Sequence, residues 1–210
     1  MTKIYINIIF WLLLLSSVIY SCTKGNESNS NLISNKTNII PFEEQSVEVF
    51  REYHQNGNLK CCGQYKNNVK IGIWKYYNNS GEIISGDIFE NGGRNRWHVK
   101  FGPDSTAIFE GHFVDDTLNG YAKHYYSNGK VKSEGTYRKN QKNGYWKEYD
   151  VNGNILWEGD FYNDNKMGYF RYYKNGKLMS EGLFNDNYKQ GAWKHYDSEG
   201  NLKSINDYEI

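Results

Sequence analysis

The sequence has little with which to build a conventional core. Hydrophobic residues, tyrosine included, fill 38% of its 210 positions, and exchanging the 19 tyrosines for the 21 glycines gives about 39% against the usual ~45–50%. Much of the aliphatic share sits in one run, Ile4 to Ile19, so the remainder is rich in Tyr, Asn, Lys and Gly with only two prolines. A large aliphatic core is excluded. Neither charge dominates: 25 basic and 24 acidic residues leave a net +1, without the broad basic field that draws proteins to phosphate backbones. No nucleic-acid partner is expected.

Motifs that carry chemistry are also missing. There is no His-x-x-x-His, no Cys-x-x-Cys and no phosphate-cradling glycine loop, so no metal, cofactor or catalytic centre is expected. The histidines, His54, His98, His112, His124 and His195, read as surface residues at strand positions. Three cysteines, Cys22, Cys61 and Cys62, are too few for a disulfide framework. Cys61 and Cys62 are adjacent, and neighbours on a strand point to opposite faces, so one buried and one exposed thiol is expected.

What is present begins with an address. Lys3 precedes the apolar run Ile4–Ile19, which ends at Tyr20-Ser21-Cys22. A positive start, a short apolar stretch and a small residue before the break make a secretory signal over residues 1–21. The run is short of the ~20 residues a spanning helix needs. Ile19-Tyr20-Ser21-Cys22 resembles a bacterial lipobox, which implies acylation of Cys22 and a lipid anchor in the cell envelope. Residues 22–46 have no periodicity and an excess of Asn, Ser and Lys, which reads as a flexible tether. Glu27 is the one acidic residue soon after the cysteine, so periplasm-facing and cell-surface placement both stay open.

From about Val47 to the end the chain repeats with a period of about 24 residues. Gly72-Ile-Trp74-Lys-Tyr-Tyr77 recurs at Gly144-Tyr-Trp146, Gly168-Tyr-Phe170 and Gly191-Ala-Trp193, and more weakly at Gly120-Tyr-Ala122; Trp97 is assigned to the same column. A second column holds Asn56-Gly57, Ser80-Gly81, Asn128-Gly129, Asn152-Gly153, Asn175-Gly176 and Glu199-Gly200. A third holds Gly63, Gly86, Gly111, Gly135, Gly159 and Gly182, each two residues before Tyr65, Ile88, Phe113, Tyr137, Phe161 and Phe184. About seven units result, the first and third irregular.

Each unit has two runs of aromatic and β-branched residues joined by Asn-Gly, a strong hairpin signal when both turn residues take positive φ. The expected fold is all-β: an elongated, single-layer antiparallel meander of about seven hairpins over residues 47–210. A two-residue loop at Asn152-Gly153 sets Lys147 opposite Glu158, and one at Asn128-Gly129 sets Lys123 opposite Glu134. Near Asn175-Gly176 one residue is missing, Arg171 no longer meets Glu181, and the loop must differ.

This signature, Gly-x-Trp-x-x-Tyr, Asn-Gly, Glu-Gly-x-Tyr/Phe, resembles the MORN-repeat variant of many bacterial proteins, among them a YwqK-type antitoxin family. The resemblance implies an interaction or scaffold module, with lipid binding proposed for the class, and an antitoxin or immunity role as the alternative.

Two columns are left as a candidate binding face: Trp74, Trp97, Trp146, Phe170 and Trp193 in one, Tyr77, Tyr149, Tyr173 and Tyr196 in the other. Residues three apart on a strand point to opposite faces, so either one set is exposed or both pack over a single layer. The column Glu110, Glu134, Glu158, Glu181 reads as a charge ladder on a solvated face, its members about 10 Å apart. The function expected is a non-enzymatic, membrane-tethered scaffold that binds a protein or an envelope glycan. Open sheet edges leave edge-to-edge oligomers in play.

Overall fold

The computed structural model describes residues 46–209. They form fourteen strands: β1 (Val47–Tyr53), β2 (Leu59–Lys66), β3 (Val69–Tyr77), β4 (Ile83–Glu90), β5 (Gly93–Phe101), β6 (Ala107–Val114), β7 (Thr117–Tyr125), β8 (Val131–Arg138), β9 (Gln141–Tyr149), β10 (Ile155–Tyr162), β11 (Asn165–Lys174), β12 (Lys177–Asn185), β13 (Tyr188–Tyr196) and β14 (Leu202–Tyr208). All lie in one sheet in chain order, each antiparallel to its sequence neighbours. The expected meander of seven hairpins is what forms.

Two kinds of turn alternate, and they correct the reading of Asn-Gly. At Asn152-Gly153 the loop has three residues: Gly153 N–H donates to the Asp150 carbonyl at 2.9 Å, and Asp150 N–H donates to the Asn154 carbonyl at 2.8 Å. Gly153 alone takes positive φ there, at 92°. A register shift between Ile155 and Trp157 then restores the count, so Lys147 does face Glu158 and Lys123 faces Glu134. The pairs were right because a bulge offsets the longer loop. The two-residue turns with both residues at positive φ sit on the other connections, as at Asn163 (50°) and Asp164 (69°). Asn175-Gly176 breaks the alternation with a two-residue turn, and a shift between Tyr172 and Tyr173 still brings Arg171 opposite Glu181.

Neighbouring units are stitched at both rims. The second residue of a two-residue turn reaches back one unit: Asn140 accepts from Leu118 N–H at 2.8 Å, Asp164 from Lys142 N–H at 2.7 Å, and Asn187 from Lys166 N–H at 2.8 Å. At the opposite rim the Tyr126 hydroxyl donates to the Tyr149 carbonyl and Asn128 donates to the Val151 carbonyl. These contacts explain the abundance of Asn and Asp: both tolerate positive φ and carry a short acceptor.

One face holds the core. Trp74 is 1% exposed, and Trp146, Phe170 and Trp193 are fully buried. Each ring lies on the glycine of the strand before it: a Cβ on Gly63, Gly135, Gly159 or Gly182 would stand 2.2–2.5 Å from the ring of Trp74, Trp146, Phe170 or Trp193. The indole N–H of Trp146 donates to the Thr136 carbonyl at 3.0 Å, and that of Trp193 to the Leu183 carbonyl at 2.9 Å. Edge-on rings fill the gaps, Tyr137 against Trp146 and Phe184 against Phe170 and Trp193. Lysine ammonium groups roof the stack: Lys70 over Trp74, Lys142 over Trp146 and Lys189 over Trp193, at 4.1–4.4 Å. A single layer thus makes a core from rings, glycines and lysine stems in place of a second sheet.

The junction of the second and third units, β4 and β5, departs from this. Lys75 pairs with Gly86 and Trp74 with Asp87, so Gly86 belongs to the glutamate column, and Asp87 and Phe89 replace Gly86 and Ile88 in the columns assigned to them. On β5 it is His98, not Trp97, that takes the tryptophan position, opposite Asp87 and Gly111. A one-residue slip puts Trp97 on the other face.

Candidate functional site

The face opposite the tryptophans carries a continuous ladder of charge. Glu110, Lys123, Glu134, Lys147, Glu158, Arg171, Glu181 and Lys194 lie side by side on consecutive strands. Alternate strands contribute acid and base because each repeats its own motif, Glu-Gly or Trp-Lys/Phe-Arg, and the register aligns them. Cross-strand opposite charges of this kind contribute about 0.2–1 kcal/mol each.

Tyrosines clamp the carboxylates. The Tyr149 hydroxyl donates to Glu134 at 2.6 Å, Tyr173 to Glu158 at 2.7 Å, and Tyr196 to Glu181 at 2.7 Å. A second tyrosine arrives from the preceding strand: Tyr121 bonds Glu134, and Tyr145 and Tyr169 stand close enough to Glu158 and Glu181 to help hold those carboxyls low. Glu134 is clamped by two bonded tyrosines, Glu158 and Glu181 each by one with a second beside it, and Glu110 by Tyr125 alone, at 2.5 Å. Trp97 stands where its other tyrosine would be.

The ladder is therefore not simply solvated. Glu158 is 8% exposed. Burial pushes the Glu158 carboxyl up, but the Tyr173 and Tyr145 hydroxyls and Lys147 more than offset this, leaving it below the usual carboxylate value. Glu181 follows the same pattern through Tyr196, Tyr169 and Arg171. The tyrosines shift the other way: burial first, then the bonded carboxylate, raises Tyr121, Tyr145 and Tyr149, and lifts Tyr173 to about 12.

The candidate aromatic columns fall into place accordingly. Trp74, Trp146, Phe170 and Trp193 are core and present no ring to solvent, because the preceding glycine strand and the lysine roof enclose them. Trp97 is half-buried on the ladder face against His112. Tyr77, Tyr149, Tyr173 and Tyr196 are half-buried on the ladder face. A further tyrosine column on that face, which sequence reading passed over, is Tyr121, Tyr145 and Tyr169, 40–45% exposed. Their signal was the residue just before each Trp/Phe position, invisible until the face was fixed.

Two other expectations change. Cys61 and Cys62 are both buried, as free thiols. Cys62 occupies the glutamate column between Arg51 and Lys75, and Cys61 lies on the opposite face, 3.5 Å from Glu52, each covered by longer neighbours. His98 is not a surface histidine: its Nδ1 lies 2.6 Å from Asp87 Oδ1, with Arg94 3.8 Å from the same oxygen and Phe109 and Phe113 rings beside it. His124 and His195 share a column at a distance of several strands. Among the described residues no group of three or more His, Cys, Asp and Glu is placed to hold a metal ion. Cys22, the expected signal and, apart from Ser46, the expected tether lie outside the described residues.

A family model described as MORN repeat variant matches residues 49–67, 118–139, 169–186 and 189–209. No curated protein matches the chain. Among solved structures it is similar to an S. aureus TarM mutant in complex with Fondaparinux, alpha-GlcNAc-glycerol and UDP, at 18% identity over 51% of this chain and a TM-score of 0.24. The match spans 19% of that chain, and at this score it carries no argument.

Proposed function

We propose that this chain, which carries repeats matching the MORN repeat variant model in a single meander sheet, is a non-enzymatic scaffold and binding platform whose working surface is the tyrosine–glutamate ladder. The observation that supports this is the recurrence of a tyrosine-bonded glutamate at Glu134, Glu158 and Glu181, with Tyr121, Tyr145 and Tyr169 40–45% exposed beside them. Rings recurring every two strands, at about 10 Å, meet an extended partner with a repeating contact, whether a polypeptide segment or an envelope glycan. Carboxylates that accept from tyrosine hydroxyls serve to hold those rings in place and are poor reagents for acid–base work, since their lone pairs are already committed. The lipobox-like Ile19-Tyr20-Ser21-Cys22 supports a tether to a membrane through Cys22.

Replacing Tyr121, Tyr145 and Tyr169 together by alanine should abolish recovery of the species crosslinked to the wild-type protein in intact cells, with the thermal melt shifted by only a few degrees. Undiminished capture by the folded triple variant rejects this face. Cys22→Ser should in the same cells move the protein from the membrane to the soluble fraction; unchanged fractionation rejects the tether.

A further inference from the structure

The two ends of the sheet are not equivalent. A glycine stands before every ring of the core column: Gly63 before Trp74, Gly135 before Trp146, Gly159 before Phe170 and Gly182 before Trp193. Where the column holds His98 instead of a large ring, the preceding strand carries Asp87. Every large ring of this column is thus preceded by a glycine, while Gly111 precedes the small Ala122 and is covered by Phe109 and Leu118 instead.

At the C-terminal edge, β14 places Asn206 in that glycine position, opposite Trp193. A side chain occupies the space a following ring would need, and β14 is the last strand among the described residues. At the N-terminal edge the situation is reversed. On β1, Phe50 stands opposite Gly63, in the column of Trp74 and Phe170, yet no strand precedes it among the described residues. Phe50 packs on Tyr65 at 5.4 Å and Trp74 at 5.6 Å, but remains half-exposed where its column mates are buried. Val47 and Val49 beside it are 48% and 45% exposed, and β1 has no proline to blunt its outer edge.

We propose that the outer edge of β1 is a docking site for one further strand from a partner protein, of the pattern Glu-Gly-x-Tyr/Phe, added antiparallel by main-chain pairing. The glycine of the incoming strand lies under Phe50 as Gly159 lies under Phe170, and its glutamate falls opposite Arg51 as Glu134 falls opposite Lys147. Two occupants are set aside by the sequence. A second copy offering β14 brings Asn206 to the glycine position. The 46 residues before β1 contain one glycine, Gly25, followed by Asn26-Glu27 with no aromatic in register. The partner is therefore a strand of this repeat type on another chain.

The test uses the full chain in detergent and a labelled peptide copying Val131–Arg138, read by fluorescence anisotropy. The peptide should bind, and a Gly135→Asn peptide should bind at least tenfold more weakly, on the same wild-type protein. Phe50→Ala in the protein should cause a similar loss, while Asn206→Gly leaves binding unchanged. Equal affinity of the glycine and asparagine peptides, or no binding of either, overturns the proposal. So does concentration-dependent end-to-end growth of the unmodified protein that competes with the peptide, because a second copy would then be the occupant.

Discussion

At the residue scale, glycine does the work that a second packing layer does elsewhere. Gly135 lets Trp146 lie flat on the backbone, so Gly135→Ala forces a methyl to 2.3 Å from the indole. It should cost about 1–3 kcal/mol in a urea melt, the range of an overpacked core. The clamps set the pH limits. Glu158 and Glu181 titrate below their ordinary values when folded, so their contribution is complete above about pH 4.5 and is lost as pH falls through the folded values. Tyr173, raised from 10 to about 12, contributes fully below pH 10 and loses that contribution as pH climbs toward 12. Stability measured against pH should be flat between these limits, and Glu181→Gln should flatten the acid side; a titration of tyrosinate absorbance that finishes by pH 10.5 would contradict the alkaline limit.

At the element scale, the strand motifs were legible because their period is set by turns, and turn residues are few in kind. The Glu-Gly pairs and the Trp-Lys/Phe-Arg pairs could be aligned by eye, and with them the cross-strand ion pairs. Loop length was not legible: Asn-Gly suits both a two-residue turn and the last two places of a three-residue one, and only the bulge at Leu156 separates them. Nor was the third unit. Trp97 looked like the missing ring because it is a tryptophan, while the residue in its place, His98, is recognisable only through Asp87 across the strand. The polar pair substitutes for glycine under tryptophan. Restoring that arrangement with Asp87→Gly and His98→Trp together should raise the midpoint of thermal unfolding. Each single change should lower it, the first leaving His98 without its carboxylate and the second setting an indole against the Asp87 side chain. Additive effects of the two singles would show that the positions are not coupled.

At the scale of the whole molecule, the core is a row of ring stacks. The C-terminal stack runs from Trp146 through Phe161, Phe170 and Phe184 to Trp193, and the Asp87–His98 pair separates the central rings from Trp74. Stability should be a sum over units and their junctions. Removing residues 139–162, one unit, joins Arg138 to the turn Asn163-Asp164 and leaves every stitch with a counterpart. The shortened chain should fold to the same sheet with two strands fewer and a lower unfolding midpoint, read by circular dichroism and by melting; loss of cooperative unfolding would show that the units are not interchangeable.

Because each of the described strands bonds only the strands just before and after it in the chain, nothing in the sheet that emerges early has to wait for anything made late. A polypeptide delivered leading end first through a narrow pore can close one hairpin, then lay the next against it, at the pace of its own delivery. Burial advances with the growing edge, and at any moment the exposed margin is a single strand wide.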